Sequence, residues 1–402
     1  MLTDTSTQII TYIKNSLVPV YNIESIQLSP STTKILSLLF NRIAYANEEW
    51  KLNNESIQLN KINKQNDIDT SYYPAEIQES LQNNIHHYYN STFTINNRNI
   101  IIYIGTPQTY NNQKLKGMIR RIYMWLYIAT FFADEECSQS LTIYLSLTPD
   151  KKQLPKIEKS DLNREHVNTA YTYACKTNNA IHIFREEEWF KVFIHETFHS
   201  LGLDFAQFNH RNTDKHMLSI FNVVADVRIF ETYCEIWAEL CNNMFIIFFS
   251  TRWSNNQEKW LETCINKLKN MIYNEQMFSL FQSSKILAHF QTQYTDLLHT
   301  NAVDNSPNLN YKDNTHVLSY YIIKCIFMYN IDFYIKECIK INGYTINFNK
   351  ENTKLKTNMK KYCNIVQKLY NNSTFIEDMN RTIENIPTHM KTTLRMSVYE
   401  MK

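Results

Sequence analysis

Apolar positions recur at helical spacing first, with Ile35, Leu36, Leu38, Leu39, Ile43 and Ala44 predicting a helix over 32–47. Residues 48–72 are polar and asparagine-rich and read as loop or disordered chain. A second helix is expected over 75–89. From Arg98 the period shortens. Ile100-Ile101-Ile102-Tyr103-Ile104 is a buried-type strand, ended by Gly105 and Pro107, and Gln113–Phe132 is a long apolar helix. Leu141–Leu147 alternates as a strand. Asn168–Ala174 and Ala180–Phe184 then read as a hairpin joined by Lys176-Thr177-Asn178-Asn179. A helix centred on residue 195 follows, then a long helix from Ser219 to Phe249, and helices over 255–290, 315–341, 351–371 and 374–384. Pro387 and the polar stretch after it read as a frayed end. No internal repeat is visible.

One motif stands out on this frame. Residues 195–199 are His-Glu-Thr-Phe-His, inside the apolar run Phe190, Val192, Phe193, Ile194, Phe198, Leu201. A helix apolar on nearly every face is buried, and buried histidine and glutamate require partners. Residues i and i+4 share a helix face, so His195 and His199 can aim two imidazoles at one ion, and Glu196 lies about 100° further round. Glu186, Glu187 and Glu188 are expected in the first turn of this helix, and Gly202 at its left-handed stop. The chain has only four glycines, so one at that position carries weight.

A catalytic zinc takes three protein ligands and keeps one position open. The place six residues after His199 is Phe205, which cannot ligate, and Asp204 one place earlier is a weak substitute. A second source is the following helix, where Glu231, Glu235 and Glu239 recur every four residues on one face of an apolar segment. Such a stripe by itself is most often a solvated face. Beside the histidine pair it reads as a ligand plus a carboxylate that orients a ligand histidine.

The pair His195-Glu196-Thr197-Phe198-His199 and Glu235-Ile236-Trp237-Ala238-Glu239 resembles the gluzincin-type zincin metallopeptidases, over roughly residues 95–250. The resemblance implies an α+β zincin-like fold: a small mixed sheet with the active-site helix in an upper subdomain, and a mostly helical lower subdomain. On that reading residues 1–94 are an N-terminal helical extension, 95–205 the upper subdomain, and 206–402 the lower one. It implies Zn²⁺ held by His195, His199 and Glu235, with Glu239 supporting and Glu196 as general base. It also implies an oxyanion donor from the lower subdomain, for which His316, Tyr320 and Tyr321 are the choices. An extended peptide or protein substrate is expected along the edge strand Thr169–Tyr173, with Thr169 and Tyr171 contacting it. Glu235 stands 36 residues after His199, a longer gap than the tightest members of the family have, and Glu231 and Glu239 stay open as ligands.

Composition narrows the rest. The net charge is +2 with Lys and Arg dispersed, which gives no electrostatic case for nucleic acid. No apolar run reaches 18 residues, and the first residues show neither a basic region nor an apolar one, so a cytoplasmic, non-membrane protein is expected. The eight cysteines form no CxxC pair and read as buried reduced thiols. Scarce glycine with abundant Asn, Ile, Lys and Tyr is the signature of an A+T-rich genome. Together with the peptidase pattern it resembles uncharacterised metallopeptidases of large DNA viruses. The expected function is zinc-dependent peptide hydrolysis. The rival is a structural or interaction protein, such as a virion component, that keeps the fold without the activity.

Overall fold

The computed structural model describes residues 2–17, 26–63, 68–254, 256–299, 307–383 and 392–401. The chain is mixed α+β and separates into two compact units. One comprises residues 37–151 and 168–207; the other comprises 1–36, 152–167 and 208–402. The first ninety-odd residues, expected as a separate extension, are divided between them. Among the described residues no helix is long and apolar enough to cross a membrane.

The first unit is built on a six-stranded sheet: β1 (Leu59–Ile62), β2 (His87–Ile95), β3 (Arg98–Thr106), β4 (Ser140–Ser146), β5 (Ala170–Thr172) and β6 (Asn178–Ile183), in the order β1-β2-β3-β4-β6-β5. β3, β4 and β6 run parallel; β1, β2 and β5 are antiparallel to their neighbours. Ile100, Ile102, Ile104, Leu141, Ile143, Leu145, Ile181 and Ile183 are buried, so the central strands follow the apolar pattern closely. The helix Asn112–Phe132 connects the parallel strands β3 and β4. Gly105 is required where β3 passes its neighbours, because a Cβ there would lie 2.8 Å from Ile85 Cγ2. The expected helix over 75–89 stops at Asn84, and β2 takes its last residues. The expected loop over 48–72 instead continues the first helix to Asn53 and then supplies β1.

The second unit is mainly helical. Its long members are Ile229–Ser250 and Gln257–His289, with Ile331–Asn342, Leu355–Leu369 and Ser373–Ile383 after them. Tyr233, Tyr362, Phe348 and Phe327 interlock in its core with ring centroids 5.6–6.1 Å apart. The helix expected from residue 219 begins ten residues later. A short helix, Arg211–Leu218, and β7 (Val223–Ala225), paired with β8 (Asn308–Asp313), precede it. The helix expected over 315–341 is broken: a π-helical stretch, Leu318–Ile323, leads into Lys324–Tyr329, and Asn330 separates that from Ile331–Asn342. Asp313 holds the start of the π stretch, accepting from Thr315 N at 2.9 Å and Leu318 N at 2.8 Å. Burial is the leading effect on its carboxyl and raises it, against these amide donors.

Pro387 lies outside the described residues. The tail beyond it does not fray: Leu394, Arg395, Met396, Ser397, Val398 and Tyr399 are all buried. The cysteine expectation also needs correction. Cys137 and Cys175 are joined in a disulfide, while Cys234, Cys241, Cys264, Cys325, Cys338 and Cys363 are free and buried.

Candidate metal centre

The helix Trp189–Ser200 carries the histidine pair, and all twelve of its residues are buried. It starts later than expected. Glu186 and Glu187 precede it, and Glu188 caps it in the left-handed region at φ +59°, so the glutamates do not line its first turn. Its far end follows the expectation. Gly202 sits at φ +64°, the Gly202 N–H donates to the His199 carbonyl at 3.1 Å, and Leu203 N donates to Phe198 O at 2.7 Å. A Cβ at Gly202 would lie 2.9 Å from Cys137 Sγ, so the turn admits no side chain without a shift. Trp125 on the neighbouring helix donates its indole N–H to Thr197 Oγ1 at 2.5 Å, and this fixes the rotation of the motif's middle.

The two imidazoles face each other, with His195 Nε2 and His199 Nε2 3.2 Å apart. Two nitrogens each about 2.0–2.1 Å from one tetrahedral zinc ion stand roughly 3.3–3.4 Å apart, so the pair is already at the spacing of a shared ion. The chain turned back by Gly202 brings Asp204 Oδ2 to 2.6 Å from His199 Nδ1. A carboxylate there accepts a hydrogen bond from the Nδ1–H, which leaves the Nε2 lone pair pointing at His195. Glu196 is buried between these two positions of the helix. Asp204, read from sequence as a weak substitute for a ligand, is thus the group that orients His199. Its signal was its place just past the left-handed glycine.

Thr169 and Tyr171 belong to the same unit. β5 is the edge strand, as expected. Thr169 is buried and its carbonyl accepts from Phe184 N at 2.9 Å. Tyr171 stacks on His182 at 4.4 Å between ring centroids and donates its hydroxyl to the Asp69 carbonyl at 2.7 Å. The ring of Tyr72 packs on it at 5.1 Å. Tyr171 is therefore held by its own chain.

In the helical unit, Glu231, Glu235 and Glu239 share a buried face of Ile229–Ser250. Sequence reasoning passed over Lys324, a lone charge in the apolar run Ile322-Ile323-Lys324-Cys325-Ile326. Its ammonium lies 3.6 Å from Glu235 Oε1 and forms a close ion pair with Glu239 Oε2. Burial pulls the Lys324 ammonium down, but Glu239, Glu235 and Glu275 outweigh it and hold the proton on. An ammonium competes with a metal ion for the same carboxylate lone pairs. Glu235 and Glu239 are therefore partners of Lys324.

The oxyanion candidates divide. Tyr321 is buried and donates its hydroxyl to the Leu394 carbonyl at 2.5 Å, so it anchors the tail and does not serve as a free donor. His316 sits at φ +61° and donates from Nδ1 to the Asp226 carbonyl at 2.8 Å, with half-buried Tyr320 beside it at 6.3 Å between rings.

Buried histidine, aspartate, glutamate and cysteine side chains form groups with the chemistry to hold a metal ion. One of them, Asp134 with Cys137 and Cys175, is spoken for by the disulfide. No family model, curated protein or solved structure matches this chain.

Proposed function

We propose that this protein is a zinc-dependent peptidase of zincin-like architecture. The observation that carries the reading is the facing pair His195 and His199, with Nε2 atoms 3.2 Å apart, one of them oriented through Nδ1 by Asp204. The same spacing suits a direct N–H···N hydrogen bond; the carboxylate on Nδ1, a regular partner of a metal-bound imidazole, is what favours the metal. For the third ligand we take Glu231, one turn before Glu235 on the glutamate helix. Lys324 engages Glu235 and Glu239, and one further carboxylate beside two imidazoles is the donor set that a catalytic zinc takes.

Zinc, when bound, acts as a Lewis acid and makes a water acidic enough to attack a peptide carbonyl near neutral pH. The residues supply the rest. Glu196, next to the first ligand in sequence, accepts the proton of the attacking water and returns it to the leaving amine. Asp204 keeps His199 in the tautomer that ligates through Nε2. Tyr320 is the donor proposed for the developing oxyanion, because Tyr321 is committed to the Leu394 carbonyl and the Nδ1–H of His316 to the Asp226 carbonyl. A peptide or protein substrate follows from this chemistry, and the sheet edge at β5 offers main-chain groups for an extended one.

The test is paired. Purified protein should carry one equivalent of zinc, lost in His199→Ala. Glu196→Gln should keep the zinc and the fold and lose peptidase activity by about 10²–10⁴-fold or more. A folded wild-type chain that takes up no zinc defeats the proposal. A zinc-loaded wild type inactive on broad peptide libraries favours the structural-protein rival.

A further inference from the structure

The segment Thr392–Met401 lies within the helical unit in an unusual setting. Strand pairing holds its flanks: Leu154 N donates to Thr392 O at 2.7 Å, Leu394 N to Lys152 O at 3.0 Å, and Thr3 N to Glu400 O at 3.0 Å. Between them, the main chain is read by side chains of the surrounding helices. Lys285 donates to the Thr393 carbonyl, Tyr321 to Leu394 at 2.5 Å, Gln282 to Arg395, Lys324 to Met396 at 2.6 Å, and Asn242 to Tyr399 at 3.0 Å. Glu275 Oε2 accepts from Val398 N at 2.9 Å. Side chains on both faces of the segment are buried: Leu394, Met396 and Val398 on one, Arg395, Ser397 and Tyr399 on the other. Arg395 is tied down at its guanidinium by Glu400, 3.0 Å away.

Recognition of successive carbonyls by side-chain donors on helices differs from the main-chain ladder that holds a core strand. Two of the donors also have partners outside the segment. Glu235 and Glu239 hold Lys324, and the Phe281 ring lies 4.9 Å from the Lys285 ammonium. If the segment withdrew, two buried ammonium groups, a phenol and two amides would lose acceptors, which is costly enough that the channel would be refilled.

We propose that the helical unit contains a peptide-binding channel, occupied in cis by Thr392–Met401, which accepts the same segment from a second copy of this chain when the cis segment is withdrawn. The occupant is specified by three apolar side chains at alternate positions, an arginine between the first two, and a run of main-chain carbonyls. The inference does not depend on the peptidase reading, since none of its contacts involves His195, Glu196 or His199.

The experiment uses the full chain with a protease site inserted between residues 385 and 390. After native cleavage, the released fragment should stay with the body on gel filtration. A fluorescent synthetic peptide spanning 391–402 should then exchange in, with saturable anisotropy competed by the unlabelled peptide. The peptide carrying Arg395→Ala should compete at least tenfold less well, and so should the wild-type peptide on a cleaved Gln282→Leu chain. Zinc content, read in parallel, should not change, and that separates failure here from failure of the peptidase reading. Loss of the fragment with no saturable uptake overturns the proposal. So does loss of helical circular dichroism on cleavage, since the segment would then be an inseparable part of the core. Equal competition by a scrambled peptide overturns it as well.

Discussion

His182 offers a measurable consequence of burial in the sheet unit. It lies on β6, 4 % exposed, between Tyr171 at 4.4 Å and Tyr144 at 4.7 Å, with the Tyr73 hydroxyl 3.4 Å from Nδ1. Burial penalises the imidazolium and pulls its pKa from 6.5 to about 4, against a small opposing pull from Asp69. The unfolded chain therefore binds the proton first. Between pH 6.5 and 4 the unfolded state holds more protons than the folded one, so stability falls as the pH falls through that window. Above pH 6.5 both states are neutral at this residue, and it adds no pH dependence. With a ratio of tenfold per pH unit, the loss between pH 7 and pH 4.5 is about 2 kcal/mol. The perturbation is His182→Gln, which removes the titration and keeps a neutral side chain. Urea unfolding, followed with chelator present in both proteins so that metal does not enter, should show wild type losing about 2 kcal/mol more than the variant over this range. The His182 ring signal in a selectively labelled sample should stay that of the neutral form down to about pH 5. An imidazole that titrates near 6.5, or identical acid sensitivity in the two proteins, refutes the argument.

Asp204→Asn should weaken zinc binding by roughly 10–100-fold without unfolding the chain, because His199 loses the acceptor that fixes its tautomer; titration against a competing chelator measures it, and unchanged affinity would remove Asp204 from the site. Glu231→Gln should abolish stoichiometric zinc. Glu235→Gln should keep the zinc and lower the unfolding free energy by about 1–3 kcal/mol, since Lys324 loses one of its carboxylates; metal analysis with denaturation distinguishes the two, and the reverse pattern restores Glu235 as ligand. Gly202→Ala should cost about 1–2 kcal/mol, from the left-handed backbone alone, and more if Cys137 cannot move; thermal unfolding reads it.

The parts of the fold legible in the sequence are those where one local period dominates. β3, β4, β6, the helix Asn112–Phe132 and the histidine helix all pack apolar residues at a regular spacing. β2 broke that rule. It buries Ser91, whose hydroxyl donates to the Gln58 carbonyl at 2.8 Å, so its inward face is not an apolar row. β7 and β8 pair across some eighty residues, a contact no local pattern encodes. The tail misled for a similar reason. Arg395 and Ser397 suggest exposure, yet their polar atoms are satisfied inside the unit, with Arg395 Nε donating to Ser397 O at 2.8 Å. Composition tracks solvent only where buried polar groups lack partners of this kind.

The glutamate helix shows the limit of spacing as a guide to chemistry. Three carboxylates at i, i+4 and i+8 are equivalent on a helical wheel, and the Glu-x-aromatic-Ala context favoured the middle one. Lys324 breaks the equivalence from a different helix, nearly ninety residues further along. The buried Lys324 ammonium, with Glu235 and Glu239 beside it and a main-chain carbonyl at 2.6 Å, ties these two glutamates to itself. Removing one of its partners leaves charge buried and uncompensated, which opposes drafting either glutamate into a metal site. The same lysine holds Met396 O, so the charge that reassigns the ligand is also one of the donors that seat the tail. A Lys324→Met substitution would therefore be expected to disturb both the tail and the glutamate face at once. Substitutions at Gln282, which touches only the tail, and at Glu231, which lies a turn away from the pair, are needed to separate the two.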